Sequence, residues 1–236
     1  MRLAAAALTF LAVAPVLVTR SGPAPRPALP GYDLLTQKDL GAPWVRVTPA
    51  RVATTADPDV PKTVNAACHR NQRIMLAFRQ RVEESLQLPK SSATVPASSA
   101  VFQADGGSIY EISVRAARLP GEDIDRLERS LVESPRACDG QVVPAPYGDP
   151  YGRTLNESTP AAPALGDHSV ALRRVTTLGG SADWPPSGES LYLIREGNYA
   201  VLLVFQDLHA SQAYKDDHLV RRALARAAER LHRLNS

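Results

Sequence analysis

The segment VFQADGGSIYEISVRAARLPGEDIDRLERSL, Val101 to Leu131, decides the fold because two strands, a tight turn and a helix follow one another directly. Asp105-Gly106 can adopt the positive φ angles that a hairpin turn requires. From Tyr110 to Ala116 apolar residues at even positions alternate with polar residues at odd positions. This alternation predicts a half-buried antiparallel strand.

A helix follows the predicted hairpin. It begins at Pro120-Gly121-Glu122-Asp123, where the acidic side chains of the first turn are favoured by the helix dipole. Ile124, Leu127 and Leu131 then recur at helical spacing. Pro135 ends or kinks this helix shortly before Cys138. The segment therefore predicts a strand-strand-helix unit.

The second half of the chain repeats this order of elements. Strands are predicted at His168–Thr176, Leu191–Arg195 and Tyr199–Phe205, with Glu196-Gly197-Asn198 as a turn. The last of these strands is apolar on both faces, which is typical of a central strand. A final helix runs from a Ser211 cap to Leu234. The similar order has two explanations, internal duplication or convergence on a common motif, and both remain open.

The remaining segments complete an α+β prediction. Thr36 can cap a short helix that ends at Leu40, and Trp44–Val52 alternates like a strand. Val64–Leu86 is predicted to be helical, and the Pro- and Gly-rich stretch Asp139–Leu165 to be a loop. We expect one antiparallel β-sheet with helices packed on one face, built from two halves that could be related strand-strand-helix units. The other face would form a groove or face water.

The amino terminus has the pattern of an export signal. Arg2 precedes an apolar run from Leu3 to Val18, and a Pro-rich stretch follows. We expect residues 1–22 to be a signal peptide or a short membrane anchor, residues 23–30 a tether, and residues 31–236 a single domain. Cleavage and retention both remain open. The expected location is extracellular or associated with the cell envelope.

Cys68 and Cys138 are the only cysteines, so only one pairing within the chain exists. In an exported protein such a pair predicts a disulfide, the alternative being two buried free thiols. Cys68-His69 and Cys138 offer too few ligands for a structural metal site, and we predict no bound metal.

The composition argues against nucleic-acid binding. The formal net charge is +3, and no block of Lys and Arg interleaves with aromatic residues. The basic residues of the last helix could bind an anionic envelope polymer or lipid headgroups. The alternative is a solvated face behind an apolar stripe. The residues concerned are Arg221, Arg222, Arg226, Arg230 and Arg233.

Motifs for catalysis are sparse. The sequence has no Gly-x-Ser-x-Gly elbow, no His-Glu-x-x-His pair and no phosphate-cradling Gly loop. Gly166-Asp167-His168-Ser169 holds an acid, a base and a hydroxyl, but adjacent strand residues point to opposite faces. Consecutive residues in Asp216-Asp217-His218 likewise diverge around a helix. We predict no catalytic residue, no cofactor and no enzymatic activity.

Several stretches together resemble a known family. They are Leu34-Leu35-Thr36 with Asp39-Leu40 and Trp44, the early Cys68, the hairpin and helix of 101–134 before Cys138, Leu165 to Val170, and Leu193 to Asn198. Over about residues 31–234 the chain resembles the actinobacterial extracellular sensor-like domains of PknH-type receptor kinases and their secreted or lipoprotein relatives. The resemblance implies an α+β domain with a large antiparallel sheet, helices on one side and a cleft. The chain departs from the pattern because it lacks a kinase portion, a lipid-attachment cysteine and a second disulfide.

The resemblance and the missing catalytic motifs lead to one functional expectation. We expect an exported, non-enzymatic ligand-binding or sensor-like domain that acts at the cell envelope. Its partner would be a small molecule, a lipid or another envelope component. The alternative is a scaffold or adaptor that binds an envelope protein through its exposed sheet face.

Overall fold

The computed structural model describes residues 33–47, 65–87, 97–104, 110–143, 152–178, 186–207 and 217–236. These residues form four helices and eight strands in the order α1, β1, α2, β2, β3, α3, β4, β5, β6, β7, β8, α4. The helices are α1 (Gln37–Leu40), α2 (Ala66–Gln87), α3 (Gly121–Cys138) and α4 (Asp217–Asn235). The strands are β1 (Trp44–Val47), β2 (Ala97–Ala104), β3 (Tyr110–Arg118), β4 (Val142–Val143), β5 (Arg153–Ser158), β6 (His168–Leu178), β7 (Ser187–Glu196) and β8 (Tyr199–Asp207).

All eight strands belong to one antiparallel sheet in the order β1-β2-β3-β8-β7-β6-β5-β4. The β2–β3 hairpin is confirmed by its pairing, for example Gln103 with Glu111, although its Asp105-Gly106 turn lies outside the described residues. β3 pairs with β8 along its whole length, from Tyr110↔Asp207 to Arg118↔Tyr199, and joins the two halves of the chain. The predicted α+β class is therefore confirmed.

Helices cover both faces of the sheet, so the prediction that they pack on one face was wrong. In β8, Val201, Leu203 and Phe205 pack with α1 and α4. The alternate residues Ala200, Leu202 and Val204 pack with α2 and α3 on the opposite face. A strand that is apolar on both faces has to bury both of them, because leaving either in water forfeits about 25 cal/mol per Å².

The two strand-strand-helix units are present, but they are not related by a simple rotation. The first is β2-β3-α3 and the second is β7-β8-α4. Their inner strands, β3 and β8, are antiparallel neighbours, so a two-fold axis relating them must run perpendicular to the sheet. Such an axis leaves each helix on the same face. The helices α3 and α4 lie on opposite faces, which disagrees with a rotated repeat.

The stretch 139–165, predicted to be a loop, contains the edge strands β4 and β5. The segment that leaves α3 holds β5 in place. The backbone N–H of Gly140 donates to the Leu155 carbonyl at 2.7 Å, and Leu155 donates back to Gln141 at 3.0 Å. The Asp139 carboxylate also accepts a hydrogen bond from the backbone N–H of Glu157 at 2.9 Å. The described part of this stretch therefore forms a short sheet edge rather than a plain crossover.

The first helix is fastened by its own cap and by the last helix. Thr36 is the N-cap of α1, as predicted. The Asp39 carboxylate accepts hydrogen bonds from the backbone N–H and the hydroxyl of Thr36, at 2.7 and 2.6 Å. Arg230 of α4 lies 2.7 Å from the same carboxylate. Burial raises the pKa of Asp39, but the hydrogen bonds from Thr36 and the neighbouring Arg230 outweigh it and hold the pKa below its usual value.

We expect Asp39→Asn to lower the free energy of unfolding by about 1 kcal/mol near neutral pH. Because the folded-state pKa of Asp39 is depressed, its contribution is present above the unfolded pKa of about 4 and is lost as the pH falls through the folded value. Urea unfolding at a series of pH values should show the wild type and variant converging in acid. Asp33→Asn, which breaks the exposed pair with Arg46, serves as the control. A gap that persists unchanged in strong acid would contradict the prediction.

The predicted leader and tether, residues 1–30, lie outside the described residues, as does the predicted cap Ser211. The division into leader, tether and one domain stays a prediction. None of the helices in the described ranges is long and apolar enough to cross a bilayer.

Candidate functional site

A row of polar side chains crosses the face of the sheet that α2 and α3 cover. Its members face one another in register on six neighbouring strands. Glu189 and Arg174 share this face with Leu191 and Leu172, which pack under the two helices, because residues two apart in a strand point the same way. We call the following residues the polar row: Gln103, Glu111, Gln206, Glu189, Arg174 and Glu157.

The most buried part of the polar row is an ion-pair cluster. Arg174 Nε donates to Glu157 Oε1 at 2.6 Å, and Arg174 Nη1 donates to Glu189 Oε2 at 3.4 Å. The Glu157 side chain is 0% exposed and that of Arg174 is 10% exposed. Arg153 lies on the same face of β5. Burial lowers the pKa of Arg153, and the positive charge of Arg174 lowers it further. The negative charge of Glu189 opposes this shift but does not reverse it. The cluster therefore brings together two arginines and two glutamates.

This cluster has unfilled hydrogen-bonding capacity. Glu157 Oε2 and Arg174 Nη2 are both buried and have no hydrogen-bond partner within the described structure. A buried polar group left unpaired costs about 1–3 kcal/mol, and more when it is charged. Native structures pair nearly all such groups with protein, water or a ligand. The two atoms belong to the same ion pair, and a water molecule, a ligand group or a bidentate contact between them would satisfy both.

A disulfide borders the cluster. The predicted bond between Cys68 and Cys138 is confirmed, with an S–S distance of 2.11 Å, and it joins the start of α2 to the end of α3. Both cysteines pack against Leu155, which lies between Arg153 and Glu157 on the same face of β5. The disulfide thus holds α2 and α3 together beside the charged cluster.

Each of the four residues in the motif Gly166-Asp167-His168-Ser169 has a structural role. The Asp167 carboxylate accepts a hydrogen bond from the Gly197 backbone at 2.6 Å, and Ser169 donates to the Pro163 carbonyl at 2.5 Å. His168 Nδ1 lies 3.2 Å from Glu128 on α3. The three polar side chains reach separate partners, as the strand geometry predicted.

Gly166 is required where the chain passes Arg195. Its φ is +61°, and a Cβ placed there would lie 2.2 Å from the Arg195 carbonyl oxygen. We expect Gly166→Ala to lower the free energy of unfolding by about 3 kcal/mol. The added methyl group would push the backbone away from Arg195, and it would weaken the hydrogen bond that the Asp167 N–H donates to the Arg195 carbonyl. Gly140→Ala is a matched control, because Gly140 has φ +71° with nothing within 4 Å of a Cβ, and should cost about 1 kcal/mol. Denaturant unfolding measures both, and equal losses would contradict the steric argument.

The basic residues of α4 mostly bind within the protein. Arg226 and Arg233 both pair with Glu229, and Arg230 pairs with Asp39. Arg222 donates to the Leu40 carbonyl at 2.6 Å. This arrangement favours a solvated, internally paired face over a surface for anionic polymers. Of Asp216-Asp217-His218, Asp216 lies outside the described residues and His218 is exposed near the start of α4.

The polar row holds carboxylates, carboxamides and a guanidinium, which can donate and accept hydrogen bonds. Across the described ranges no three His, Cys, Asp or Glu side chains are grouped so that they could hold a metal ion.

The polar row was not predicted from the sequence. The pattern that could have indicated it is a charged residue at a strand position where the alternation would place an apolar, inward-facing side chain. Arg174 follows Val170 and Leu172 in phase, and Glu189 precedes Leu191 and Leu193 in phase. Such positions are unfavourable for isolated charges, so pairing across strands could have been inferred from them.

The fold and this site define an α+β domain with an antiparallel sheet, helices on both faces and a buried polar row on one of them. No protein-family model and no curated protein matches the chain. Among solved structures, the extracellular domain of PknH from Mycobacterium tuberculosis matches with a TM-score of 0.39 and 10% identity, over 58% of this chain and 64% of that one. An uncharacterised Mycobacterium smegmatis protein, the Rv0999 ortholog, matches with a TM-score of 0.34 and 14% identity, over 66% of this chain and 74% of that one.

A structural match to the PknH extracellular domain was expected from the resemblance of the sequence, and it is found at a TM-score of 0.39. It spans less than two thirds of that domain. At these identities and TM-scores the matches support no conclusion about this chain. The function has to be argued from the chain's own residues.

Proposed function

We propose that this chain is an exported, non-catalytic domain that binds a ligand at the polar row and acts at the cell envelope. The observation that carries the proposal is the pair of buried, unpartnered atoms, Glu157 Oε2 and Arg174 Nη2. Leaving these two atoms without hydrogen-bond partners lowers the stability of the folded protein. A bound group that forms hydrogen bonds with both atoms would recover that free energy as binding affinity.

Rigid elements surround these atoms, which suits a binding site. Glu157 and Arg174 lie on adjacent strands within the sheet, and Asp139 holds the Glu157 backbone. The disulfide fastens both covering helices next to them. Groups that are held in place before binding lose little conformational entropy when a ligand arrives.

Export is supported by the predicted leader and by the disulfide. Disulfides persist in oxidising compartments and are rare in the cytosol of most organisms. The prediction is that expression of the full chain in an actinobacterial host delivers it to the medium or envelope with the disulfide formed. N-terminal sequencing of the delivered protein distinguishes a cleaved leader from a retained anchor.

The adaptor alternative depends on an exposed sheet face. The helices that pack on both faces remove much of such a surface from the part of the chain that is described. The exposed large apolar residues there lie on five separate elements rather than in one patch. They are Val45, Leu76, Tyr110, Val132 and Val142.

The test is a thermal-shift screen of the oxidised, exported protein against actinobacterial lipids, peptidoglycan fragments and small metabolites. At a ligand concentration about 100-fold above the dissociation constant, binding stabilises by about 2.7 kcal/mol. We expect a selective, dose-dependent shift. A flat panel on a cooperatively melting protein would overturn the proposal.

The location of a hit is tested with two matched variants. Glu189→Gln removes a partly exposed carboxylate of the polar row and should weaken binding. Asp125→Asn removes an exposed carboxylate that pairs with Arg195 at the opposite end of β7, and should leave binding unchanged. Equal effects of the two variants would contradict a site at the polar row.

A further inference from the structure

We infer that the tip of the β7–β8 hairpin couples the two layers of helices, so that a displacement of α3 on one face of the sheet loosens α4 on the other face. We call the residues Arg195, Glu196, Gly197 and Asn198 the joint. The inference goes beyond the proposed function, because it requires no ligand. It depends on three features of the joint: its reach to both faces, its close packing and the shared contacts of Arg195.

Consecutive residues of the joint reach opposite faces of the sheet. Arg195 Nη1 donates to Asp125 Oδ1 of α3 at 2.5 Å. Glu196 Oε1 lies 2.8 Å from His232 Nδ1 of α4. Neighbouring residues of a strand point to opposite faces, and α3 and α4 cover one face each. A single peptide unit of β7 therefore separates the attachment of α3 from the attachment of α4.

The turn at the centre of the joint is closely packed. A Cβ placed at Gly197 would lie 3.0 Å from the side-chain amide of Asn235, the last residue of α4. The Gly197 N–H donates to the Asp167 carboxylate at 2.6 Å. The Asn198 carbonyl accepts a hydrogen bond of 2.8 Å from the N–H of Leu119, which lies two residues before α3. A shift of the turn relative to α3 therefore also changes its contact with α4.

One guanidinium group links α3 to the turn. Arg195 Nη1 pairs with Asp125 and lies 3.9 Å from Glu128 Oε2. Arg195 Nε donates to the Gly197 carbonyl at 3.4 Å. Because the guanidinium is planar and rigid, a movement that carries Nη1 along with α3 also displaces Nε from the turn. A displacement of α3 therefore reaches the turn that contacts the end of α4.

Amide hydrogen exchange, measured residue by residue by NMR on the oxidised protein, tests the coupling. Asp125→Ala removes the partner of Arg195 on α3 without touching α4. We expect it to speed exchange about tenfold at residues 231–235, in the last turn of α4, a change within the range of coupled sites. Coupling is reciprocal, so His232→Ala should speed exchange at residues 124–128 of α3 by a similar factor.

Each variant has a matched control on the same helix. Asp123→Ala removes a carboxylate of α3 that pairs with Arg81 and Arg126 rather than with the joint. His218→Ala removes an exposed imidazole near the start of α4. Neither control should change hydrogen exchange on the opposite face of the sheet.

Three results would overturn the inference. In the first, each variant speeds exchange only on its own face of the sheet. In the second, exchange rises uniformly and includes α2 and β8, which would report a loss of global stability rather than coupling. The third concerns the double variant Asp125→Ala/His232→Ala. We expect its factor at residues 231–235 to fall below the product of the two single factors, and a factor equal to that product would show that the faces open independently.

Discussion

Replacing both cysteines, as Cys68→Ala/Cys138→Ala, should lower the free energy of unfolding by about 4 kcal/mol. The bond closes a loop with a sequence separation of 70 residues. Without it the unfolded chain regains the conformations that the loop excludes, and the folded state is stabilised less in comparison. For a domain of about 200 residues this loss corresponds to roughly 10 °C in melting temperature.

The matched control for this prediction is chemical reduction. A reductant should lower the melting temperature of the wild type toward that of the double variant and leave the double variant unchanged. Guanidinium unfolding gives the free energies, with and without reductant. A double variant as stable as the oxidised protein would show that the disulfide adds nothing to stability.

Arg174→Met should destabilise the protein by about 3–5 kcal/mol, because it leaves the fully buried Glu157 carboxylate without its cationic partner. The buried site magnifies the cost, since water cannot replace the missing guanidinium. Replacing both partners, as Glu157→Leu/Arg174→Met, should recover most of the loss, because no charge then stays buried and unpaired. Urea unfolding of the single and double variants gives the coupling between the two residues.

Arg46→Met is the control for burial. Arg46 pairs with Asp33 at 2.8 Å, close to the 2.6 Å of the Arg174–Glu157 pair, but its side chain is 46% exposed. Exposed pairs contribute about 0–1 kcal/mol. Similar losses from Arg46→Met and Arg174→Met would refute the claim that desolvation sets the value of the buried pair.

Local patterns predicted most of the elements correctly. The hairpin of β2 and β3, the helix α3, the turn at Gly197 and the central strand β8 all follow from alternation, helical spacing and turn residues. These signals succeed because each depends on neighbours within a few positions along the chain. The short strands β4 and β5 were missed, because their pairing depends on residues that follow α3 and on β6.

The placement of the helices was harder to predict. The apolar stripes of α3 and α4 show that each helix buries one side, but not which face of the sheet it covers. The pattern of β8 already indicated two buried faces, and it contradicted a sheet covered on one side only. Each helix packs beside an earlier one, α3 beside α2 and α4 beside α1, so the face that it covers depends on contacts between residues far apart in the chain.

The candidate site was not predicted because its members are scattered along the chain. Glu157, Arg174 and Glu189 lie on three strands, and Gln206 lies on a fourth. Their meeting depends on strand order and register, since a shift of one residue would turn any of them to the opposite face. By contrast, the residues from Gly166 to Ser169 form a compact motif that is visible in the sequence, and in the structure their contacts stabilise the fold.

The amino-acid sequence by itself determined the α+β class, the strand-strand-helix units, the Cys68–Cys138 pairing and the expectation of export, because each follows from local periodicity, turn chemistry or a unique choice of partners. Only the tertiary structure decided which helices cover each face of the sheet and that the polar row forms across six strands. Those features arise from contacts between residues far apart in the chain. The sequence lists such residues but does not state which of them meet.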